Sequence, residues 1–249
     1  MRILVTGANG TVAPKLIAHA VSQGHDVVAW DRIAVDPNDP GAVDSFVRDV
    51  SPDAICHLAF GAQSWAGQLA WLAGTRDIPF VYTSTAMVFD ERPQGPYSIH
   101  ATRNSTNDYG QYKISCEDAI WASNPAAMIA RIGYQMDPDG IGNNMVAHLD
   151  TQSADAGVVH ASTLWIPACA FLQDTAAALL SLVTDPERGL HHLDSNADDA
   201  WTYYEIVLGL RASLQRNWIV EASELPDHDQ RLVRSDRIAP LHTRLSKVV

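Results

Sequence analysis

The chain has 249 residues, 47% of them hydrophobic, and its 17 Lys and Arg against 29 Asp and Glu give a net charge of −12. That length is enough for one large domain with a sizeable core, and the acidic balance argues against nucleic-acid binding, which needs cationic side chains. No apolar stretch approaches the roughly 20 residues that span a bilayer. The cysteines are odd in number and widely spaced, and no charged leader precedes the first strand. We therefore expect a cytoplasmic protein with reduced thiols, no metal site and no membrane partner.

The first half of the chain alternates short apolar strands with helices. Strands are predicted at 2–6, 26–30, 53–60, 78–85 and 126–133, and helices at 12–23, within 36–50, at 66–74 and at 105–123. Strands with almost no polar face are typical of a parallel sheet covered on both sides, so the pattern predicts a doubly wound α/β fold of the Rossmann type.

After about residue 133 the alternation loosens. Helices are predicted at 145–152, 171–183 and 201–212, and strands at 189–194 and 217–220. No linker or repeat interrupts the chain, so we expect residues 1–249 to form a single Rossmann-type domain. The part after residue 133 would contribute mainly to a small C-terminal substrate lobe.

A glycine-containing turn, “TGANGTV” (6–12), separates the first strand from the first helix. Gly7 permits a tight turn, and Gly10 lets a ligand approach the helix N-terminus, whose partial positive charge favours phosphate. Ala13 stands where a third glycine is common, and alanine is tolerated there. The pattern predicts a dinucleotide pyrophosphate site, and an ordinary strand–turn–helix is its alternative. The residues assigned to this site are Gly7, Asn9, Gly10, Thr11 and Val12.

Asp31 and Arg32 end the second strand, about 20 residues after the glycine turn. A carboxylate at this position can accept hydrogen bonds from both ribose hydroxyls of NAD, whereas Arg32 could instead hold the 2′-phosphate of NADP. We expect NAD or NADP as the cofactor, with a slight preference for NAD. A solvated pair of turn residues is the alternative interpretation.

“NDYGQYK” places Tyr109 and Lys113 four residues apart, on one face of a predicted helix. A nearby ammonium can lower the phenol pKa from about 10, and such a tyrosine can exchange a proton with a carbonyl or carbinol oxygen. Thr85 ends a buried strand at the sheet edge where doubly wound folds bind ligands. Each feature alone is common on protein surfaces, so the prediction depends on their combination.

The segments “TGANGTVA”, “DAICHLAF”, “TSTAMVF” and “YGQYK” resemble the extended short-chain dehydrogenases/reductases in order and approximate spacing. Within this superfamily the chain is most similar to the dTDP-4-dehydrorhamnose reductase (sugar-nucleotide reductase) branch. The similarity to that branch lies in “YTSTAMVFD…GPYS” and “ARIGYQMDPDGIGNNMV”, and it is weak after residue 150.

The resemblance implies an NAD(P)-dependent oxidoreductase. It would transfer a hydride to or from a carbonyl or carbinol carbon of a small substrate, with a nucleotide sugar as one candidate. Tyr109 would be the general acid or base, and Lys113 would lower its pKa and hold the ribose. Thr85, or Ser84 in its place, would polarise the oxygen. Further implied cofactor contacts are Leu58, Ala59, Phe60, Ser84 and Ile132. The implied substrate contacts are Thr85, Ala86, Met87, Tyr134, Asn143 and Asn144.

Departures from the family pattern leave alternatives open. The connection from Ala59 to Ile78 is short and has no Asn for the usual proton relay, for which Gln63, Ser64, Gln68 or a water are candidate replacements. “STLWIPACAFLQDTA” lacks a phosphate-binding Arg, which favours a small carbonyl compound. The alternative functions are a nucleotide-sugar epimerase or dehydratase that retains NAD, and a non-catalytic NAD(P)-binding regulatory subunit. Because family members often dimerise through paired helices, the helix that carries Tyr109 is a candidate homodimer interface.

Overall fold

The computed structural model describes residues 1–90, 94–139 and 142–248. The strands of these residues are β1 (Arg2–Thr6), β2 (Asp26–Ala29), β3 (Ala54–His57), β4 (Phe80–Thr85), β5 (Met128–Ile132), β6 (Tyr134–Met136), β7 (Val159–Ser162), β8 (Cys169–Phe171), β9 (Gly189–Leu193) and β10 (Val220–Ser223). Their helices are α1 (Ala13–Ser22), α2 (Pro40–Val50), α3 (Gln63–Thr75), α4 (Asp108–Ser123), α5 (Met145–Ala156), α6 (Leu172–Thr184) and α7 (Tyr203–Ser213). Short 3₁₀ helices lie at Ala86–Val88 and Leu241–Thr243.

Six strands pair in parallel to form the main sheet, in the order β2–β1–β3–β4–β5–β9. Helices cover both faces, so the predicted doubly wound fold is confirmed. The strand order reverses direction between β1 and β3, and ligands of such sheets bind outside the carboxyl ends of the strands at this point. The fold therefore places a ligand site beside the end of β1, where the glycine turn begins.

The two faces of the main sheet bury separate hydrophobic clusters. Ile3 and Val5 of β1 belong to the cluster that includes α1 and α6, whereas Leu4 belongs to the cluster with α2, α3 and α4. This division follows from the alternation of side chains along a strand. β3 and β4 are buried along their whole lengths, as their continuous apolar sequences predicted.

Most of the chain after residue 133 forms a small lobe with its own hydrophobic cluster. Within the lobe, β6 pairs with β8 and β7 pairs with β10, both in parallel. Two elements of this part lie elsewhere: β9 extends the main sheet beside β5, and α6 packs against α1. The lobe is therefore made mainly of α5, α7 and four short strands, and its role in substrate binding stays a prediction. β6, β7 and β8 are strands of three or four residues that the sequence analysis missed, because an alternating pattern needs more positions to be recognised.

Three further expectations from the sequence concern one motif, membrane spans and the cysteines. Gly140 and Ile141 of the motif “ARIGYQMDPDGIGNNMV” lie outside the described residues. Across the described ranges, no helix is both long enough and apolar enough to cross a bilayer. All three cysteines are buried and none forms a disulfide.

Candidate active site

The glycine turn has the geometry that a pyrophosphate site requires. Gly7 adopts a φ of +77°, and a Cβ on it would lie 2.9 Å from the backbone N of Ala59, so only glycine fits. Helix α1 follows directly, and its N-cap residue, Val12, makes no side-chain capping hydrogen bond. The backbone N–H groups at this helix start thus keep their capacity to bind an anion. The turn residues that line the neighbouring cleft are Gly7, Gly10, Thr11, Val12 and Ala13.

A cavity of about 790 Å³ extends from the glycine turn to the end of β2. The Asp31 carboxylate accepts a hydrogen bond from the backbone N of Ile33 at 2.8 Å. The Arg32 guanidinium donates to the carbonyl of Phe60 and lies 5.3 Å from the centroid of the Trp65 ring. Both charged side chains therefore face one cavity, which has the position of an adenosine site. Its other predicted lining residues are Asn9, Leu58, Ala59 and Phe60.

A second cleft, of about 600 Å³, lies on the opposite side of the glycine turn. Thr85 enters it from the end of β4, and Tyr109 and Lys113 enter it from α4. The three predicted catalytic residues, which come from two separate elements, are thus placed around one cleft with the glycine turn. Other predicted residues that line it are Leu58, Ser84, Ala86, Met87, Ile132, Tyr134 and Asn143.

Lys113 is held by the end of β4. Its ammonium donates a hydrogen bond to the carbonyl of Thr83 at 2.8 Å, lies 4.6 Å from the ring centroid of Tyr82, and lies 5.9 Å from that of Tyr109. Burial lowers the pKa of Lys113 to about 8, against the charge of Glu117, which raises it. The group is therefore still mostly protonated at pH 7.

The predicted lowering of the tyrosine pKa is not found. Partial burial raises the pKa of the Tyr109 hydroxyl above its ordinary value. The ammonium of Lys113 points toward β4 rather than toward the phenol oxygen, which explains why its charge does not compensate for desolvation. In this geometry Tyr109 is a protonated group at neutral pH, as a general acid must be.

The alternation along β4 separates the two hydroxyl candidates. The Thr85 hydroxyl accepts a hydrogen bond from the backbone N of Met87 at 3.2 Å and lines the cleft. The Ser84 hydroxyl instead donates to the buried carboxylate of Glu117 at 2.5 Å. Because the Ser84 hydroxyl is already engaged with Glu117, the arrangement favours Thr85 over Ser84 as the hydroxyl for a reacting oxygen.

Several residues differ from their predicted positions. Asn144 is buried and accepts hydrogen bonds from the backbone N of Val146 and Ala147 at the start of α5, and it is not among the cleft-lining residues. Gln68 donates to the carbonyl of Pro40 at 2.7 Å. Neither Gln68 nor the other two candidates for the missing relay Asn, Gln63 and Ser64, lines either cavity described above.

The short connection after β3 is fixed by Tyr112, a neighbour of the Tyr–Lys pair. The Tyr112 hydroxyl donates to the carbonyl of Gly61 at 2.9 Å and accepts from its backbone N at 3.0 Å. Its ring lies 4.2 Å from that of Phe60. One tyrosine thus anchors the loop that borders the adenosine-side cavity.

Sequence reasoning missed part of the cleft wall. Gln135, Trp165 and Gln230 also line it, as does Gly133 between the predicted residues Ile132 and Tyr134. Trp165 and Gln230 come together because the backbone N of Gln230 donates to the carbonyl of Ile166 at 2.9 Å. No local pattern marks such long-range pairing. For Gln135, a polar residue in an otherwise apolar segment was the available signal.

The parallel sheet, the glycine turn and the cleft with Thr85, Tyr109 and Lys113 define a Rossmann fold of the extended short-chain dehydrogenase/reductase type. The model of the RmlD substrate binding domain matches residues 1–66 and 62–207. The chain belongs to this family, which confirms the predicted resemblance.

Comparisons with individual proteins agree with the predicted class of NAD(P)-dependent reductases. The chain is 27% identical over 229 residues to the dTDP-4-dehydrorhamnose reductase of Mycolicibacterium smegmatis, covering 83% of this chain and 69% of that protein. A crystal structure of a dTDP-4-dehydrorhamnose reductase from Clostridium acetobutylicum superimposes with a TM-score of 0.79 at 19% identity, over 95% of this chain and 91% of the other. The crystal structure of the dTDP-4-dehydrorhamnose reductase from Bacillus anthracis in complex with NADP superimposes with a TM-score of 0.76 at 19% identity. The superposition covers 94% of this chain and 88% of the other.

Proposed function

We propose that the protein is an NAD(P)-dependent reductase that transfers a hydride to the carbonyl carbon of a nucleotide sugar of the dTDP-4-dehydrorhamnose type. One observation is central to this proposal: Thr85, Tyr109 and Lys113 surround the same cleft as the glycine turn. Membership in the RmlD family and similarity to dTDP-4-dehydrorhamnose reductases support the substrate class.

The residues of the chain fit a dinucleotide. Gly7 and Gly10 leave room beside the uncapped start of α1, where backbone N–H groups would bind the pyrophosphate. Asp31 and Arg32 would contact the adenosine ribose. Lys113 would hold the nicotinamide ribose. When bound, the nicotinamide supplies the hydride.

The proton chemistry belongs to the chain itself. Thr85 would donate a hydrogen bond to the carbonyl oxygen of the substrate and so polarise it. Tyr109, whose pKa is raised by burial, would give its proton to that oxygen as negative charge develops there. Because the ammonium of Lys113 donates to the carbonyl of Thr83 rather than facing the phenol oxygen, its role in this proposal is to hold the ribose, and Tyr109 acts as a protonated acid.

The test begins with fluorescence titrations of NADH and NADPH, followed by absorbance assays with dTDP-4-dehydrorhamnose. Tyr109→Phe removes the transferred proton and is expected to reduce kcat by at least about 100-fold, whereas cofactor affinity stays unchanged. Tyr204→Phe is the matched control, because it removes a tyrosine hydroxyl on α7 from a residue that lines neither of the two cavities. Undiminished turnover in Tyr109→Phe would contradict the proposed mechanism, and failure to bind either cofactor would contradict the proposed function.

A further inference from the structure

A further cavity of about 500 Å³ adjoins the catalytic cleft. Met87 and Gln230 line both spaces, so a ligand held at Tyr109 can extend past these two side chains into the second one. Small-molecule sites commonly have volumes of about 300–1,000 Å³. We refer to this space, bordered by Met87, Asp90, Thr106 and Gln230, as the distal cavity.

The junction between the cleft and the distal cavity is fixed by backbone hydrogen bonds. The backbone N of Gln230 donates to the carbonyl of Ile166 at 2.9 Å, and the backbone N of Met87 donates to the Thr85 hydroxyl at 3.2 Å. Among the described residues, the side-chain amide of Gln230 has no hydrogen-bond partner. The junction thus offers a donor and an acceptor on a backbone that is already ordered.

The walls of the distal cavity combine an apolar ring with hydrogen-bonding groups. The Phe89 ring is stacked on Tyr97, with ring centroids 4.3 Å apart and planes 10° apart. One carboxylate oxygen of Asp90 accepts from the backbone N of Thr106 at 3.0 Å. Within the described parts of the chain, the other Asp90 oxygen and the Thr106 hydroxyl have no partner. An apolar face beside hydroxyl and carboxylate groups suits a ligand with hydroxyl substituents.

The charge of the distal cavity selects against an anionic ligand. Asp90 is the only carboxylate among its described lining residues, and none of them is Lys or Arg. A phosphate placed here would lie near a like charge with no Lys or Arg to offset it, whereas a sugar hydroxyl could donate directly to the carboxylate. The ring of His228, which also lines the cavity, lies 3.1 Å from the Tyr97 hydroxyl.

We propose that the distal cavity is a substrate subsite that receives a neutral, hydroxyl-bearing part of the substrate, with Asp90 and Gln230 as its specificity-determining residues. This deepens the proposed function and rests on it for the identity of the reacting group. The nucleotide and its diphosphate would leave the cleft in another direction.

The kinetic test uses two nearly isosteric substitutions. Gln230→Leu removes the amide, and Asp90→Asn keeps the oxygen that accepts from Thr106 while removing the charge. With dTDP-4-dehydrorhamnose and NADPH, each is expected to raise KM about tenfold, the effect of one lost hydrogen bond, with kcat and cofactor affinity within about twofold of wild type. Gln173→Leu, at an exposed position on α6, is the control and should change nothing. An unchanged KM in both variants, or a lower KM in Asp90→Asn, would overturn the subsite.

A second measurement does not depend on turnover. In Thr106→Cys, the new thiol lies in the distal cavity, whereas Cys56, Cys116 and Cys169 are fully buried and react slowly. Methyl α-L-rhamnoside, a neutral glycoside, is expected to slow modification of this thiol by methyl methanethiosulfonate in the NADP-loaded protein, and dTDP is not. Protection without turnover of any keto sugar would retain the subsite and reject the proposed function. Turnover without protection would reject the subsite alone.

Discussion

Replacing Glu117 by Gln is expected to destabilise the protein strongly, because the carboxylate is buried and paired. Glu117 does not line the cleft, so the effect is on folding rather than on substrate contact. Glu117 is fully buried and binds Arg131, itself 2% exposed, through two hydrogen bonds of 2.9 and 2.8 Å. It also accepts from Ser84 at 2.5 Å and from Arg103 at 3.1 Å. This one carboxylate therefore joins α4 to β4, to β5 and to the segment before α4.

The magnitude follows from the cost of an unpaired buried charge. Glu117→Gln preserves the shape of the side chain, but it leaves the Arg131 guanidinium without a counterion. It also places an amide N–H, which is a donor, where the carboxylate oxygen accepts from two donors. Breaking a buried ion pair by removing one partner costs about 3–5 kcal/mol. Arg131→Met should cost a similar amount, reduced by the partial compensation that Arg103 offers to Glu117. Arg103 also donates to Asp118 at 2.7 Å, a bond that these substitutions do not remove.

The double variant Glu117→Leu/Arg131→Met provides the sharper test. Both charges of the buried pair are then absent, and only the Ser84 hydroxyl and one N–H of Arg103 lose their acceptor. Replacement of a buried ion pair by apolar residues is often nearly neutral. Urea unfolding of wild type, Glu117→Leu, Arg131→Met and the double variant gives the coupling free energy. We expect the double variant to be more stable than either single variant. Additive losses, or single-variant costs below about 1 kcal/mol, would refute this reasoning.

Three other predictions concern the cleft and the adenosine-side cavity. A Cβ at Gly133 would lie 2.1 Å from the carbonyl oxygen of Ala168, so Gly133→Ala should lower Tm by roughly 4–10 °C through overpacking; an unchanged Tm would contradict the close approach. Burial lowers the pKa of Lys113 to about 8 in the folded protein, against 10.5 in the unfolded chain. Between these two pH values the unfolded state binds more protons, so the free energy of unfolding of the wild type should rise with pH relative to that of Lys113→Met. Denaturant unfolding should show that the wild type gains up to about 3 kcal/mol in free energy of unfolding over the variant across this pH range. A difference between the two proteins that stays flat or falls with pH would contradict the prediction. Arg32→Ala should weaken NADPH binding about tenfold more than NADH binding, and Asp31→Ala should do the reverse; fluorescence titration measures both, and equal effects would remove these side chains from ribose recognition.

The main sheet could be predicted from sequence because its information is local. β3 and β4 are continuous apolar segments, Gly7 marks the turn after β1, and the spacing of Tyr109 and Lys113 places them one helical turn apart. Each of these signals lies within a few residues of the chain, and each strand or turn it predicted is present in the structure.

The lobe and the wall of the cleft could not be predicted in the same way. Trp165 and Gln230 become neighbours only through parallel backbone pairing of segments that are far apart in sequence. The pKa of Tyr109 was also predicted wrongly, because helix spacing places Lys113 on the correct face without fixing the direction of its ammonium. That direction depends on a hydrogen bond to β4, which is a tertiary contact.

Helix α4 explains why stability and site chemistry are linked in this protein. Tyr109, Lys113 and Glu117 follow one another at intervals of one turn, from the exposed cleft to the fully buried carboxylate. The negative charge of Glu117 raises the pKa of Lys113 against the effect of burial. Loss of that charge should therefore shift the proton release of Lys113 to lower pH, in addition to destabilising the fold. In Glu117→Gln, the basic limb of the pH–kcat profile should shift to lower pH. Such a shift would separate this electrostatic role from packing, because Lys113 responds to the charge of its neighbour and not to its shape. An unshifted limb in a folded variant would show that Glu117 acts on structure alone.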